Sequence, residues 1–240
     1  MSIAARLAAV RGRMAAAAER AGRDAGSLTL VAVSKFHPKT AIEEAYAAGQ
    51  RHFGENRVQE AEEKRALLAG LIESSDPLSL ELIGTLQSNK VRKAVAAVSR
   101  IQAIDSVDLG KRVGRTSVDL GRVMPVLIQV DLAGEATKSG VPDGDLLVAL
   151  DALRDVAGIR VDGLMVIPPF LEEAEKVRPY FARLRALRDE AASRGLLSGR
   201  ELSMGMSHDF EVAIEEGATI VRVGTAIFGE RPSKLLVHPA

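Results

Sequence analysis

The chain has 240 residues, with 32 basic and 32 acidic side chains and a formal net charge of zero. It has no Cys, which excludes a disulfide framework, a thiolate metal site, an Fe–S cluster and a Cys nucleophile. Charge balance argues against nucleic-acid binding, which needs a basic excess or stripe, and no apolar run approaches the about 20 residues of a membrane span.

Residues 2–23 are Ala-rich, with Leu7, Val10, Met14 and Ala18 at helical spacing. Arg6, Arg11 and Arg13 interrupt them, so the segment does not read as a secretory signal, and the expected location is cytoplasmic. A strand is predicted over 28–34, then a helix opened by Pro38 and ended by Gly49. A strand-like piece over 51–54 leads into a charged helix over 55–71. Then come a strand over 80–84, a helix carrying Lys90 and Lys93 that runs to Val98, a strand over 101–104 and a helix over 107–120. The series continues with a strand over 125–130, a helix over 145–156, a strand over 161–167 and a long Arg-rich helix over 171–194. A strand over 201–204, a helix over 207–216 and a strand over 220–224 close it.

Eight strands alternating with helices imply a parallel sheet with helical crossovers. Eight repeats in about 250 residues match a (β/α)8 TIM barrel. The alternative, an open doubly wound sheet, would carry a Gly-x-Gly-x-x-Gly turn after its first strand, and Lys35-Phe-His-Pro stands there instead. No linker or composition break divides residues 1–240, so one α/β domain is expected. The first helix is expected to close the barrel bottom or flank it.

Barrel sites sit at the C-terminal ends of the strands. At the first, Val31, Val33 and Lys35 share a face by the period of two. If that face is the interior, an amine tops an apolar wall, where desolvation favours the neutral, nucleophilic form suited to a Schiff base. The alternative is a lysine just past a strand with its head in water. At the last strand, Arg222 and Gly224 face opposite to Val221 and Val223, and an inward Arg needs a partner. Gly224-Thr225 and Ser203-Met-Gly-Met-Ser207 lie where barrels often bind phosphate; two ordinary turns are the other reading. Asn56 could bond a ring hydroxyl, or simply cap a helix. His37, His52, His208 and His238 show no metal-ligand spacing.

Together these segments resemble the pyridoxal phosphate homeostasis protein family over nearly the whole chain. The resemblance rests on Leu30-Val-Ala-Val-Ser-Lys35, His52-Phe-Gly-Glu-Asn-Arg-Val-Gln-Glu60, Ile83-Gly-Thr-Leu-Gln-Ser-Asn-Lys90 and Leu202-Ser-Met-Gly-Met-Ser207. Ile104-Asp-Ser106, Val126-Leu-Ile-Gln-Val130, Thr137-Lys-Ser-Gly140, Gly163-Leu-Met and the run from Gly217 to Arg231 add to it. The resemblance implies a single barrel similar to the alanine racemase N-terminal domain. It implies pyridoxal 5′-phosphate (PLP) held as a Schiff base on Lys35. It implies Arg222 at the pyridine nitrogen, Ser203, Gly224 and Thr225 at the phosphate, Asn56 near the ring, and Met206 and Ser207 in the same pocket. The family pattern has His where this chain has Thr85.

An Arg at the ring nitrogen disfavours the protonated ring that makes PLP a strong electron sink. A racemase also needs a base on each face of its substrate. Tyr46 and Tyr180 fall on predicted helices away from the strand tops, and the length leaves no room for the second domain of alanine racemase. The expected function is therefore a non-catalytic PLP carrier that buffers or delivers the cofactor. Its expected partners are PLP and apo PLP-dependent enzymes, and its expected assembly a monomer or weak dimer. A weak amino-acid racemase stays open, as does an aldolase-type enzyme using Lys35 on a sugar phosphate. Lys138 is a candidate second amine for passing PLP on, against the plainer reading of a solvated loop lysine.

Overall fold

A computed structural model describes residues 1–134 and 139–230; Lys138 lies outside them. Eight strands form the wall: β1 (Thr29–Val33), β2 (His52–Glu55), β3 (Ser79–Leu82), β4 (Arg100–Ile104), β5 (Met124–Asp131), β6 (Ile159–Met165), β7 (Glu201–Ser203) and β8 (Ile220–Val223). Each pairs in parallel with the next. β8 returns to β1, with Val31 opposite Arg222, so the sheet is closed. The (β/α)8 barrel expected from the alternation is the observed fold. A two-residue strand, Val141–Pro142, adds to the end of β5.

The two faces of each strand have separate duties, as a period of two dictates. Leu30, Ala32, Phe53, Leu80, Leu82, Ile101, Val221 and Val223 point outward into one continuous apolar layer beneath the helices. Val31, Ile83, Ala103, Leu127, Met165 and Ile220 form a small separate layer inside the barrel. The strand register thus puts Val31, and with it the start of the Lys35 face, inside.

The main helices are α1 (Ile3–Arg20), α2 (Lys39–Ala47), α3 (Val58–Leu67), α4 (Val91–Ala97), α5 (Val107–Asp119), α6 (Leu146–Arg154), α7 (Arg178–Ser193), α8 (Phe210–Glu215) and the single turn α9 (Thr225–Phe228); a further helical turn, Ala69–Ile72, follows α3. Among the described residues β8 is followed only by α9, which leaves a gap in the outer ring. α1 fills it, packing on α2, α8 and α9 through Leu7, Val10, Met14 and Ala17. It therefore flanks the barrel rather than closing its bottom.

Three predicted helices start later than expected. Glu55 ends β2, and Asn56–Arg57 link it to α3. A 3₁₀ turn, Ala174–Val177, precedes α7. Ser207 lies in a turn before α8, where Asp209 Oδ1 accepts the Met206 N–H at 2.6 Å. At 55 the pairing of β2 with β3 runs on through Glu55, while at 171 and 207 a turn and a local polar bond compete with the first helical turn. Among the described residues no helix is long and apolar enough to cross a membrane.

Candidate functional site

The ends of β1, β7 and β8 open into a cavity of about 240 Å³. Lys35 follows β1 by two residues and is half-buried on its wall, above Val33. Its turn is closed by the His37 N–H donating to Ser34 O at 3.0 Å. Phe36, inside that turn, has φ of 67°, a left-handed conformation rare for a side chain of its size.

Arg222 forms the base of the cavity at 4% exposure. Its guanidinium donates to Ser203 Oγ at 2.6 Å and to Val166 O at 2.9 Å. Ser203 in turn donates to Gln102 Oε1 at 2.6 Å, and Gln102 Nε2 donates to Glu81 Oε2 at 2.6 Å. Glu81 Oε1 lies 3.0 Å from His52 Nδ1 at the far end of β2. This chain of polar groups runs through the barrel interior and fixes the Arg222 rotamer. Burial pushes the Arg222 guanidinium down to about 10, partly opposed by the charge of Asp209, so it stays cationic at neutral pH.

The opposite wall is built from two loops. Gly205 has φ of 90°, and a Cβ there would come within 2.6 Å of Ala213 Cβ, so the β7–α8 loop needs glycine. Its carbonyl accepts the Arg222 N–H at 3.0 Å, which ties this loop to β8. Ser207 Oγ accepts the Gly224 N–H at 3.3 Å and joins the two loops. A Cβ on Gly224 would sit 3.3 Å from Val33, so glycine lets β8 end close to β1. Among the described residues, the Thr225 N–H and hydroxyl have no intramolecular partner. Arg6 of α1 holds the other end of α9, donating from Nε to Ile227 O at 2.6 Å.

Of the residues expected from sequence, Lys35, Met206, Ser207, Arg222, Gly224 and Thr225 line this one cavity. Ser203 and Asn56 do not. Ser203 is fully buried beneath it, its hydroxyl engaged by Arg222 and Gln102, so a phosphate contact does not fit its position. Asn56 lines a neighbouring hollow with Arg57, Thr85, Gln87 and Lys90. The structure adds His37 and His208, whose sequence spacing speaks only to metal ligation. His37 stacks on Phe228 at 4.8 Å between ring centres. Burial lowers its pKa, with the Lys64 charge acting the same way and Glu60 opposing, so it is neutral at neutral pH. A signal was present for both: each lies within two residues of an expected site residue.

The model of the alanine racemase N-terminal domain family matches residues 6–232. A pyridoxal phosphate homeostasis protein of Aquifex aeolicus is 44% identical, over 96% of this chain and 99% of that protein. One of Escherichia coli K12 is 40% identical, over 95% and 97%. This chain belongs to the pyridoxal phosphate homeostasis family. Another solved relative, PipY of Synechococcus elongatus, has PLP bound. It is 43% identical with a TM-score of 0.83, covering 95% of this chain and all of that one. Alanine racemase of Corynebacterium glutamicum shares the fold, with a TM-score of 0.68 at 19% identity, and this chain covers 62% of its length. Tyr46 and Tyr180 line no part of the homeostasis-family cavity; the Tyr46 hydroxyl donates to Asp76 O at 2.6 Å.

Proposed function

We propose that the chain binds PLP in this cavity, holds it as a Schiff base on Lys35, and buffers or delivers it without turning over a substrate of its own. The observation that carries this reading is one amine and one buried guanidinium facing the same cavity as the Ser207 and Thr225 hydroxyls. That donor set fits an aldehyde-bearing, phosphorylated aromatic ring. Ser207, Gly224 and Thr225 are the phosphate-binding elements, supplying hydroxyls and the Thr225 N–H. The Lys35 amine would bond the aldehyde carbon, with the aldehyde oxygen released as water.

When bound, the cofactor supplies an electron sink that is strong only with its ring nitrogen protonated. Arg222 is cationic there and is held rigid by Ser203 and Val166, so it opposes such a proton. Reversible bonding without deep carbanion chemistry suits a carrier, and apo PLP-dependent enzymes are the recipients it would serve. The names of the relatives support the same assignment. Borohydride reduction after PLP loading tests it. A pyridoxyl adduct mass on Lys35, lost in Lys35→Ala, is expected. A sugar-phosphate adduct instead, from protein as isolated, points to the aldolase-type enzyme.

One observation favours a second reading as a weak racemase. His37 is a neutral base in the cavity, so Lys35 has a potential counterpart after all. Chiral analysis after incubation with L-amino acids decides it. Turnover to D-isomers lost in both Lys35→Ala and His37→Ala would establish the racemase; none above the Lys35→Ala background leaves the carrier.

A further inference from the structure

Lys35 is flanked by residues that are held from behind. The ammonium of Lys64, on α3, is buried between that helix and the barrel wall at 6% exposure. It donates to Ser34 O at 2.7 Å, to Glu55 Oε1 at 2.7 Å and to Glu60 Oε1 at 2.8 Å. Ser34 Oγ donates to the same Glu55 oxygen at 2.5 Å. Glu60 Oε1 accepts the Phe36 N–H at 2.6 Å. The residue before Lys35 and the residue after it are thus both attached to one buried charge cluster.

Phe36 is the residue in need of that support. A left-handed backbone is disfavoured for any side chain with a Cβ, and persists only where its surroundings impose it. Its ring is 42% exposed, so burial supplies little compensation. The cluster itself is not what stability alone would select. Well-packed apolar residues commonly match or exceed a buried ion pair, and Glu55 Oε2 is buried with no partner among the described residues.

We propose that Lys64, acting through Glu55 and Glu60, is a positioning residue that clamps the strained turn and so sets the Lys35 amine on the cavity wall. The proposal rests on Lys35 being the PLP anchor. Two kinds of variant test it. Glu60→Ala removes the acceptor of the Phe36 N–H at a half-buried site where folding is tolerant. Lys64→Met with Glu55→Gln removes the two buried charges together.

In both, the rate of PLP bonding to Lys35 is expected to fall roughly ten- to a hundredfold, with circular dichroism unchanged. In Glu60→Ala the Phe36 amide resonance is expected to move upfield as it loses its carboxylate. Adding Phe36→Gly to Glu60→Ala is expected to restore most of the rate, because glycine adopts the turn unaided. Wild-type rates in Glu60→Ala with an unmoved Phe36 resonance would overturn the proposal. A rate that falls only in proportion to unfolded protein in the double variant would do the same. If wild type bonds no PLP, the carrier reading fails, and acetylation of Lys35 in the apo-protein by acetic anhydride, read by mass spectrometry, still decides the clamp. An altered Lys35 rate in Glu60→Ala supports it, and an unaltered one sinks it.

Discussion

At the scale of single residues, the site separates groups that touch a ligand from groups that aim them. Ser203 belongs to the second kind, since its hydroxyl bridges Arg222 and Gln102 out of reach of the cavity. Ser203→Ala leaves an Arg222 N–H and Gln102 Oε1 unpaired in the interior. The expected loss is about 1–3 kcal/mol by urea denaturation. The ratio of affinities for PLP and for pyridoxal, which isolates the phosphate, should stay at its wild-type value. In Ser207→Ala that ratio should fall, because this hydroxyl lines the cavity. Equal ratios in the two variants would return Ser203 to the phosphate. That Arg222 faces opposite to Val221 and Val223 was legible from the period of two. Its partners were not, because Gln102 and Ser203 lie 101 residues apart in the chain.

Among elements, the β7–α8 and β8–α9 loops make the cavity wall that would hold the phosphate in the proposed reading; Gly205 in the first has a φ of 90°, and Gly224 in the second lets β8 end close to β1. Gly205→Ala places a Cβ within 2.6 Å of Ala213 at a φ of 90°. A loss of about 2 kcal/mol or more in folding stability is expected, with weaker PLP binding as Met206 and Ser207 shift. α1 contributes at a distance. Arg6 caps the C-terminal carbonyls of α9, so Arg6→Ala should weaken PLP binding although Arg6 lines no part of the cavity. An Arg6→Ala affinity equal to wild type would confine α1 to packing. The sequence placed every barrel strand near its observed position, since each carries its own apolar run. The helices start later than 55, 171 and 207 because strand pairing through Glu55, a 3₁₀ turn and a side-chain–backbone bond at Asp209, rather than helix propensity, decide them.

For the whole molecule, the buried cluster beside Lys35 makes stability depend on pH. Burial, opposed by Lys64 and Ser34, pushes the Glu55 carboxyl up to about 7 from 4.5. A carboxyl raised in the folded state contributes stability that is fully present below its unfolded pKa. That contribution is lost as pH rises through about 4.5 to 7. The loss amounts to at most about 3 kcal/mol. Glu55→Gln should flatten the dependence, so the difference between variant and wild type in urea denaturation should change across that window and stay constant above it. A constant difference from pH 5 to pH 8 would remove Glu55 as the cause. Glu60 behaves oppositely. Burial raises its carboxyl, but Lys64 and the Phe36 N–H outweigh that and hold it low, so its contribution is lost only under acid conditions.

The sequence by itself determined the barrel, the lysine at the end of β1, an arginine of β8 facing opposite to its valines, and the glycine-bearing loops. Those features follow from local periodicity and from residue types with few alternative uses. Only the tertiary structure decided which groups share a cavity. It brought His37 and His208 in, put Asn56 in a neighbouring hollow, and buried Ser203 as a support for Arg222. It also assembled Lys64, Glu55 and Glu60 behind Lys35, where a charged helix face would otherwise read as solvated. The reason is physical. Closing a parallel barrel sets strand register and helix rotation together, and these decide whether a polar side chain meets water, a ligand or another buried charge.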